Sequence, residues 1–234
     1  MTGTRTTRRR LVDRIRDSGL GLFFGALFVV ALVAQSFAGW ATFNDDQTSA
    51  RLQPISWLEY VTSSSFAADV AENWQSEYLQ FVLYIGATVW LVQRGSTESG
   101  ELDQVGPQSD ERQHVRGHAL PGSPRWAAAS GWRLWLASHS LGLVMGAIFV
   151  ASWAAQAVTG HVAHDEQQLL DLEAPTGLAG YVASADFWNR TLQNWQSEFL
   201  AVGSMVVLSI YLRERGSAES KPVGAAHDDT GVEG

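Results

Sequence analysis

The sequence has no cysteine. Disulfides, thiolate nucleophiles, iron–sulfur clusters and cysteine-based zinc sites are therefore excluded. It is also missing charge over two long stretches. Residues 18–44 contain no Asp, Glu, Lys or Arg, and neither do residues 134–164. Each stretch exceeds the roughly 20 helical residues that cross a hydrocarbon core of about 30 Å. From Leu20 to Ala34 the first stretch is apolar on every face, without the polar stripe of a surface helix. No phosphate-cradling Gly-rich loop, dinucleotide fingerprint, HExxH or G-x-S-x-G motif is present. Nucleotide chemistry and the common hydrolase mechanisms thus have no foothold, and no cofactor is implied.

What is present is a chain written twice. A shift of 121 residues lays 19–99 on 140–220 without a gap, identical at 28 of 81 positions. The longest shared block is Asn73-Trp74-Gln75-Ser76-Glu77 against Asn194-Trp195-Gln196-Ser197-Glu198. A second shared block is Arg94-Gly95-Ser96 with Glu98-Ser99, against Arg215-Gly216-Ser217 with Glu219-Ser220. Features of the common architecture should recur in both copies.

Spans are expected near 19–40, 73–93, 140–161 and 194–213. Fourteen of the 16 basic residues then fall on one side, and only Arg51 and Arg190 on the other. The basic side is cytoplasmic. The six arginines before the first span read as topology signals and anionic-lipid contacts rather than a nucleic-acid surface. The fold class expected is all-α, a four-transmembrane-helix bundle of two same-orientation two-helix repeats related by a pseudo-twofold along the membrane normal. Both termini are placed inside, on the cytoplasmic side of the membrane. Ser36-Phe37-Ala38 resembles a signal cleavage site. The second copy repeats that segment mid-chain, so it is read as a retained span. The organisation expected is a basic tail over 1–18, repeat 1 over 19–99, a flexible linker over 100–138, repeat 2 over 139–220 and a disordered tail over 221–234.

Each outer loop runs from an acidic exit through Pro54 or Pro175 to Tyr60 or Tyr181. Ser65 and Asp186 are placed as N-caps of the second helix of each copy. Those helices are expected to run from Phe66 and Phe187 to Gly95 and Gly216, about 28 residues or roughly 42 Å. The first helix of each copy is ended at Gly39 and Gly160.

Within the spans, Gln35, Glu77, Gln156 and Glu198 are expected at one depth near the outer surface, with Asn73 and Asn194 one turn above the glutamates. Ionisable groups at membrane depth face a bundle interior and often mark a pathway. The plainer alternatives are that they only hold helices together by hydrogen bonds, or begin the spans in the headgroup zone. Gly21 and Gly25, repeated as Gly142 and Gly146, have the spacing of a close helix-packing face. His161 and His164 have an i, i+3 spacing that could hold a metal. They have no counterpart in the first copy, so a solvated loop is the preferred reading and no metal is assigned.

The paired Asn-Trp-Gln-Ser-Glu and Arg-Gly-Ser-x-Glu-Ser blocks, the second closed by Lys221-Pro222, resemble an uncharacterised bacterial integral-membrane family described only as a domain of unknown function. After the first copy Gly100-Glu101 replaces Lys-Pro. The resemblance implies a location and no activity. The function expected is a small transport- or channel-like protein, or an accessory subunit of one, using the Gln/Glu layer. The alternative is a non-catalytic assembly protein that binds itself or a membrane partner through its glycine faces and acidic outer loops. An enzyme is not expected, because no catalytic constellation recurs in both copies. The partners expected are the lipid bilayer and another copy or a membrane protein.

Overall fold

The computed structural model describes residues 17–231. The arginine-rich part of the N-terminal tail lies outside the described residues. Among the described residues the chain is all-α, without strands. It has helices α1 Gly19–Ser49, α2 Trp57–Val61, α3 Ser64–Trp90, α4 Gly131–Ser138, α5 Ser140–Leu170, α6 Gly177–Val182 and α7 Ala185–Tyr211. The long helices repeat at the 121-residue offset. α1 and α5 have 31 residues each, and α3 and α7 have 27 each. The chain divides into two compact units, 1–67 and 68–234.

Among the described residues two helices, α1 and α5, are long and apolar enough to cross a membrane. Four were expected. α3 and α7 have the length, but their first halves hold Asp69, Glu72, Asn73, Glu77 and Asp186, Arg190, Asn194, Glu198.

Several boundaries differ from those expected. α1 and α5 do not end at Gly39 and Gly160 but run ten residues further, to Ser49 and Leu170. The glycines serve a different purpose. In the first unit the buried Tyr60 of α2 lays its hydroxyl directly on Gly39, where any Cβ would overlap it. In the second unit Tyr181 of α6 sits on Gly160 in the same way, its hydroxyl 2.5 Å from where a Cβ would lie. The missing side chain makes room for a tyrosine rather than ending a helix. The N-caps also move. Phe66 N–H donates to Ser63 Oγ at 3.3 Å and Phe187 N–H to Ser184 Oγ at 3.2 Å. The caps are therefore these aligned serines and not Ser65 and Asp186. At the other end α3 and α7 stop at Trp90 and Tyr211, short of Gly95 and Gly216.

The loop after each first helix is pinned by an aligned side chain. Asn44 accepts from Ile55 N–H at 2.8 Å, and its aligned residue Asp165 accepts from Thr176 N–H at 3.1 Å. α1 and α5 close with aligned residues in the left-handed region, Arg51 (φ 61°) and Leu172 (φ 60°). A side chain there costs roughly 1–2 kcal/mol relative to glycine. Leu172 is 95% exposed. Leu172→Gly should therefore stabilise the fold by about 1 kcal/mol, read as a raised thermal midpoint in detergent, whereas Leu172→Ala should not.

The repeat extends into the turns that follow α3 and α7. Gln93 N–H donates to Ser99 Oγ and Glu214 N–H to Ser220 Oγ, both at 2.9 Å. Gly95 (φ 83°) and Gly216 (φ 85°) supply the left-handed corner of the same turn. The segment 100–138, expected to be flexible, carries helix α4 and the Asp110–Arg116 ion pair at 2.9 Å. The tail expected to be disordered is tied down through Gly231. Lys221 Nζ is buried and donates to the carbonyls of Ala226, His227 and Asp229 at 3.1, 2.9 and 3.0 Å. Thr230 and Gly231 bond to Gly95 and Ser96. Backbone carbonyls satisfy this ammonium without a carboxylate.

Candidate functional site

The buried face of α3 is Ala68, Ala71, Glu72, Gln75 and Ser76. These positions follow i, i+3, i+4, i+7 and i+8, one helical stripe. On α5 the buried residues are Ser152, Gln156 and Gly160, again four apart. Thr191 of α7 is fully buried. The three helices bring small and polar side chains together, with Phe187 and Ile210 of α7 also buried, and leave Val144, Val150, Val158, Leu192 and Leu200 exposed.

Gln156 is the hub. Its Nε2 donates to Glu72 Oε1 at 3.4 Å and to Thr191 Oγ1 at 3.3 Å. The other oxygen of Glu72 lies 3.5 Å from Arg190 Nη1. Arg190 Nε also donates to Asp186 Oδ1 at 3.3 Å, one turn back on α7. One turn in the other direction, Trp195 Nε1 donates to Gln75 Oε1 at 2.8 Å. Two polar atoms of this cluster are buried without a partner, Gln75 Nε2 and Gln156 Oε1. One is a donor and one an acceptor, and both belong to fully buried side chains. Orphaned groups of this kind are rare and costly, at about 1–3 kcal/mol each.

The expected polar layer is assembled differently. Gln156 is buried as expected, but the carboxylate it meets is Glu72. Glu77 is exposed. Glu198 is half-buried, within electrostatic reach of Glu77. Asn73 and Asn194 turn back on their own helices, donating to the carbonyls of Asp69 at 2.9 Å and Arg190 at 3.1 Å. Gln35 is half-buried in the first unit, beside Ser36, which accepts from Trp57 Nε1 at 3.1 Å. The depth assigned to the glutamines rested on helix ends at Gly39 and Gly160, and those ends lie ten residues further on. The glycine faces differ too. A methyl group added at Gly21, Gly25 or Gly142 would meet nothing within 4 Å, and one at Gly146 only Val82 at 3.9 Å. Within each unit these glycines have room for a side chain.

The histidines take separate acids. His161 Nε2 is 2.9 Å from Asp165 Oδ2, and His164 Nδ1 is 3.7 Å from Asp186 Oδ2. Among the described residues no group of three or more ligating side chains could hold a metal. Both rings pack on Tyr181. Burial pushes the Tyr181 hydroxyl up to about 12, so it stays protonated against Gly160. Asp165 Oδ1 accepts from the Thr176 N–H at 3.1 Å and from the Thr176 hydroxyl at 3.3 Å, and so clasps the start of α6 to α5. Asp165→Ala should loosen this clasp, read as faster amide exchange at Thr176.

Glu72, Gln75, Arg190 and Thr191 were not among the residues expected at the site. Recurrence in both copies marks the shared residues, whereas three of these differ between the copies. Glu72 aligns with Gln193, Thr191 with Val70, and Arg190 with Asp69. The signal available was the α3 stripe itself, polar and small at helical spacing.

The chain belongs to the family described as DUF6766, a domain of unknown function, whose model matches residues 11–232. No curated protein and no solved structure matches it.

Proposed function

We propose that the chain is a multi-pass membrane protein of two same-orientation repeats, with α1, α3, α5 and α7 as its spans. The short helices α2 and α6 then lie outside and the Arg-Gly-Ser turns inside. The support for membrane placement is α5. It lies mid-chain, so it is not a leader, and only 11% of its apolar window is buried, so it is not the core helix of a soluble domain. Its buried side is polar and its exposed side apolar, as a lipid solvent requires.

Within that frame the α3–α5–α7 cluster is a site for a small polar solute, in a transport-type protein or a subunit of one. The observation that carries this is the pair of unmatched buried atoms, Gln75 Nε2 and Gln156 Oε1, beside Glu72. A solute or water that both accepts and donates would complete them. Asp69, Glu72 and Asp186 outnumber Arg190, which favours cations over anions in the approach. The competing reading is assembly alone, favoured by the helix-to-helix use of the other polar atoms. Gln156→Ala and Glu72→Gln separate the two in a deletion strain screened across ions, pH and osmolarity. A site requires variants that accumulate normally and fail to restore growth. Normal accumulation with every phenotype restored removes the site, and losses of accumulation and growth in parallel indicate assembly.

A further inference from the structure

A second feature lies at the other end of α3 and α7. A groove of about 560 Å³ runs between them, walled by Leu83, Ala87, Leu91, Phe199, Val202 and Val206. From Gln80 to Leu91 it rises roughly 17 Å along the helix. That is close to one leaflet of hydrocarbon, about half of 30 Å. Its depth comes from Gly203, where an added Cβ would meet no atom within 4 Å. The aligned residue in the first copy is Val82, whose side chain lies beside Gly146 of α5. The groove is therefore walled by both copies and is not symmetric under the repeat. The ionisable side chains on its wall are Tyr84 and Glu98, with Glu98 in the turn that closes the groove. The Tyr84 hydroxyl donates to the Glu98 carboxylate and fixes it there. A carboxylate offers about four acceptor positions, so one phenol leaves capacity for an incoming donor.

We propose that this groove holds an acyl chain of an inner-leaflet phospholipid whose headgroup carries a primary ammonium, with Glu98 receiving that ammonium. The proposal rests on the membrane reading above. The length of one leaflet and the apolar walls select a lipid tail. The acid at the inner end selects the headgroup. An anionic headgroup would be repelled, and a quaternary ammonium has no N–H to donate.

The test is native mass spectrometry of the full chain released from bilayers of equal phosphatidylethanolamine, phosphatidylcholine and phosphatidylglycerol. Wild type should retain one phosphatidylethanolamine. Gly203→Leu should fill the groove and lose it. Glu98→Gln should keep a lipid but lose the headgroup preference by about tenfold, the usual consequence of losing a charge-assisted hydrogen bond. Glu98 lies in a turn, so that variant keeps the test valid if Gly203→Leu does not fold. The proposal is overturned if wild type retains no lipid, if phosphatidylglycerol is preferred, or if Gly203→Leu retains lipid as wild type does. It is overturned equally if protein, rather than lipid, protects a Gly203→Cys thiol from a bilayer-soluble maleimide in lipid-free detergent. Release of the chain from membranes by alkaline carbonate would instead remove the membrane reading itself, and the groove proposal with it.

Discussion

Replacing Arg190 with glutamate should be the most damaging single charge change in the second unit. Arg190 is the cation set among Asp69, Glu72 and Asp186, with Nη1 3.5 Å from Glu72 and Nε 3.3 Å from Asp186. The Glu72 side chain is only 11% exposed, so it relies on that charge and on Gln156. Breaking a fully buried ion pair costs about 3–5 kcal/mol. Arg190 is half-exposed and screened, so removing it by Arg190→Ala should cost about 1–2 kcal/mol. Arg190→Glu adds like-charge repulsion to the loss and should cost about 3 kcal/mol or more. Arg190→Lys keeps the charge without the fork that serves two acids at once, and should be the mildest. The order Lys, Ala, Glu should appear in thermal midpoints of detergent-purified protein. The effect of Arg190→Glu should shrink when Glu72 is changed to Gln in the same chain. Equal midpoints across the series would mean that the ion pair makes no contribution to the fold.

Gly160→Ala should be the second large effect, from packing rather than charge. The new Cβ would lie 2.5 Å from the Tyr181 hydroxyl and 3.1–3.2 Å from two ring carbons. Tyr181 is buried between the two histidine rings and Phe187, so it cannot swing away freely. Overpacking of this kind costs about 1–3 kcal/mol. Adding Tyr181→Phe removes the nearest atom and should recover part of the loss, while the ring carbons keep the recovery incomplete. The first unit provides an internal replicate, because Tyr60 sits on Gly39 in the same way. Gly39→Ala with Tyr60→Phe should show coupling of the same sign. By contrast Gly21→Ala and Gly142→Ala should be neutral or slightly stabilising, since no neighbour is crowded.

These two predictions mark where the sequence was readable and where it was not. The helical class and the repeat were legible because a gapless offset carries through every long helix. Helix ends were less so. Gly39 resembles a terminator, yet its partner is Tyr60, 21 residues away, and no local rule shows that pairing. The site was half legible. Gln156 stood out as a shared polar residue in an apolar run. Its partners did not, because a pseudo-symmetric pair can divide its labour. Asp69 in one copy and Arg190 in the other are aligned and opposite in charge, so a search for identity passes over them. The pentapeptide misled for the same reason. Gln75 is buried and Gln196 is exposed, although both stand in Asn-Trp-Gln-Ser-Glu.

The natural absence of cysteine makes one measurement direct. Glu72→Cys with Gln156→Cys, in membranes, should be joined by a short bifunctional thiol reagent. Cleavage at a protease site introduced into 100–130 should then leave the two halves connected. Glu77→Cys with Gln156→Cys is the matched control, one turn and a half away on α3 and pointing to its exposed side. The expected result is efficient coupling of the 72–156 pair and little of the 77–156 pair. Coupling of 77–156 in preference to 72–156 would contradict the polar junction of α3, α5 and α7 on which the proposed function stands.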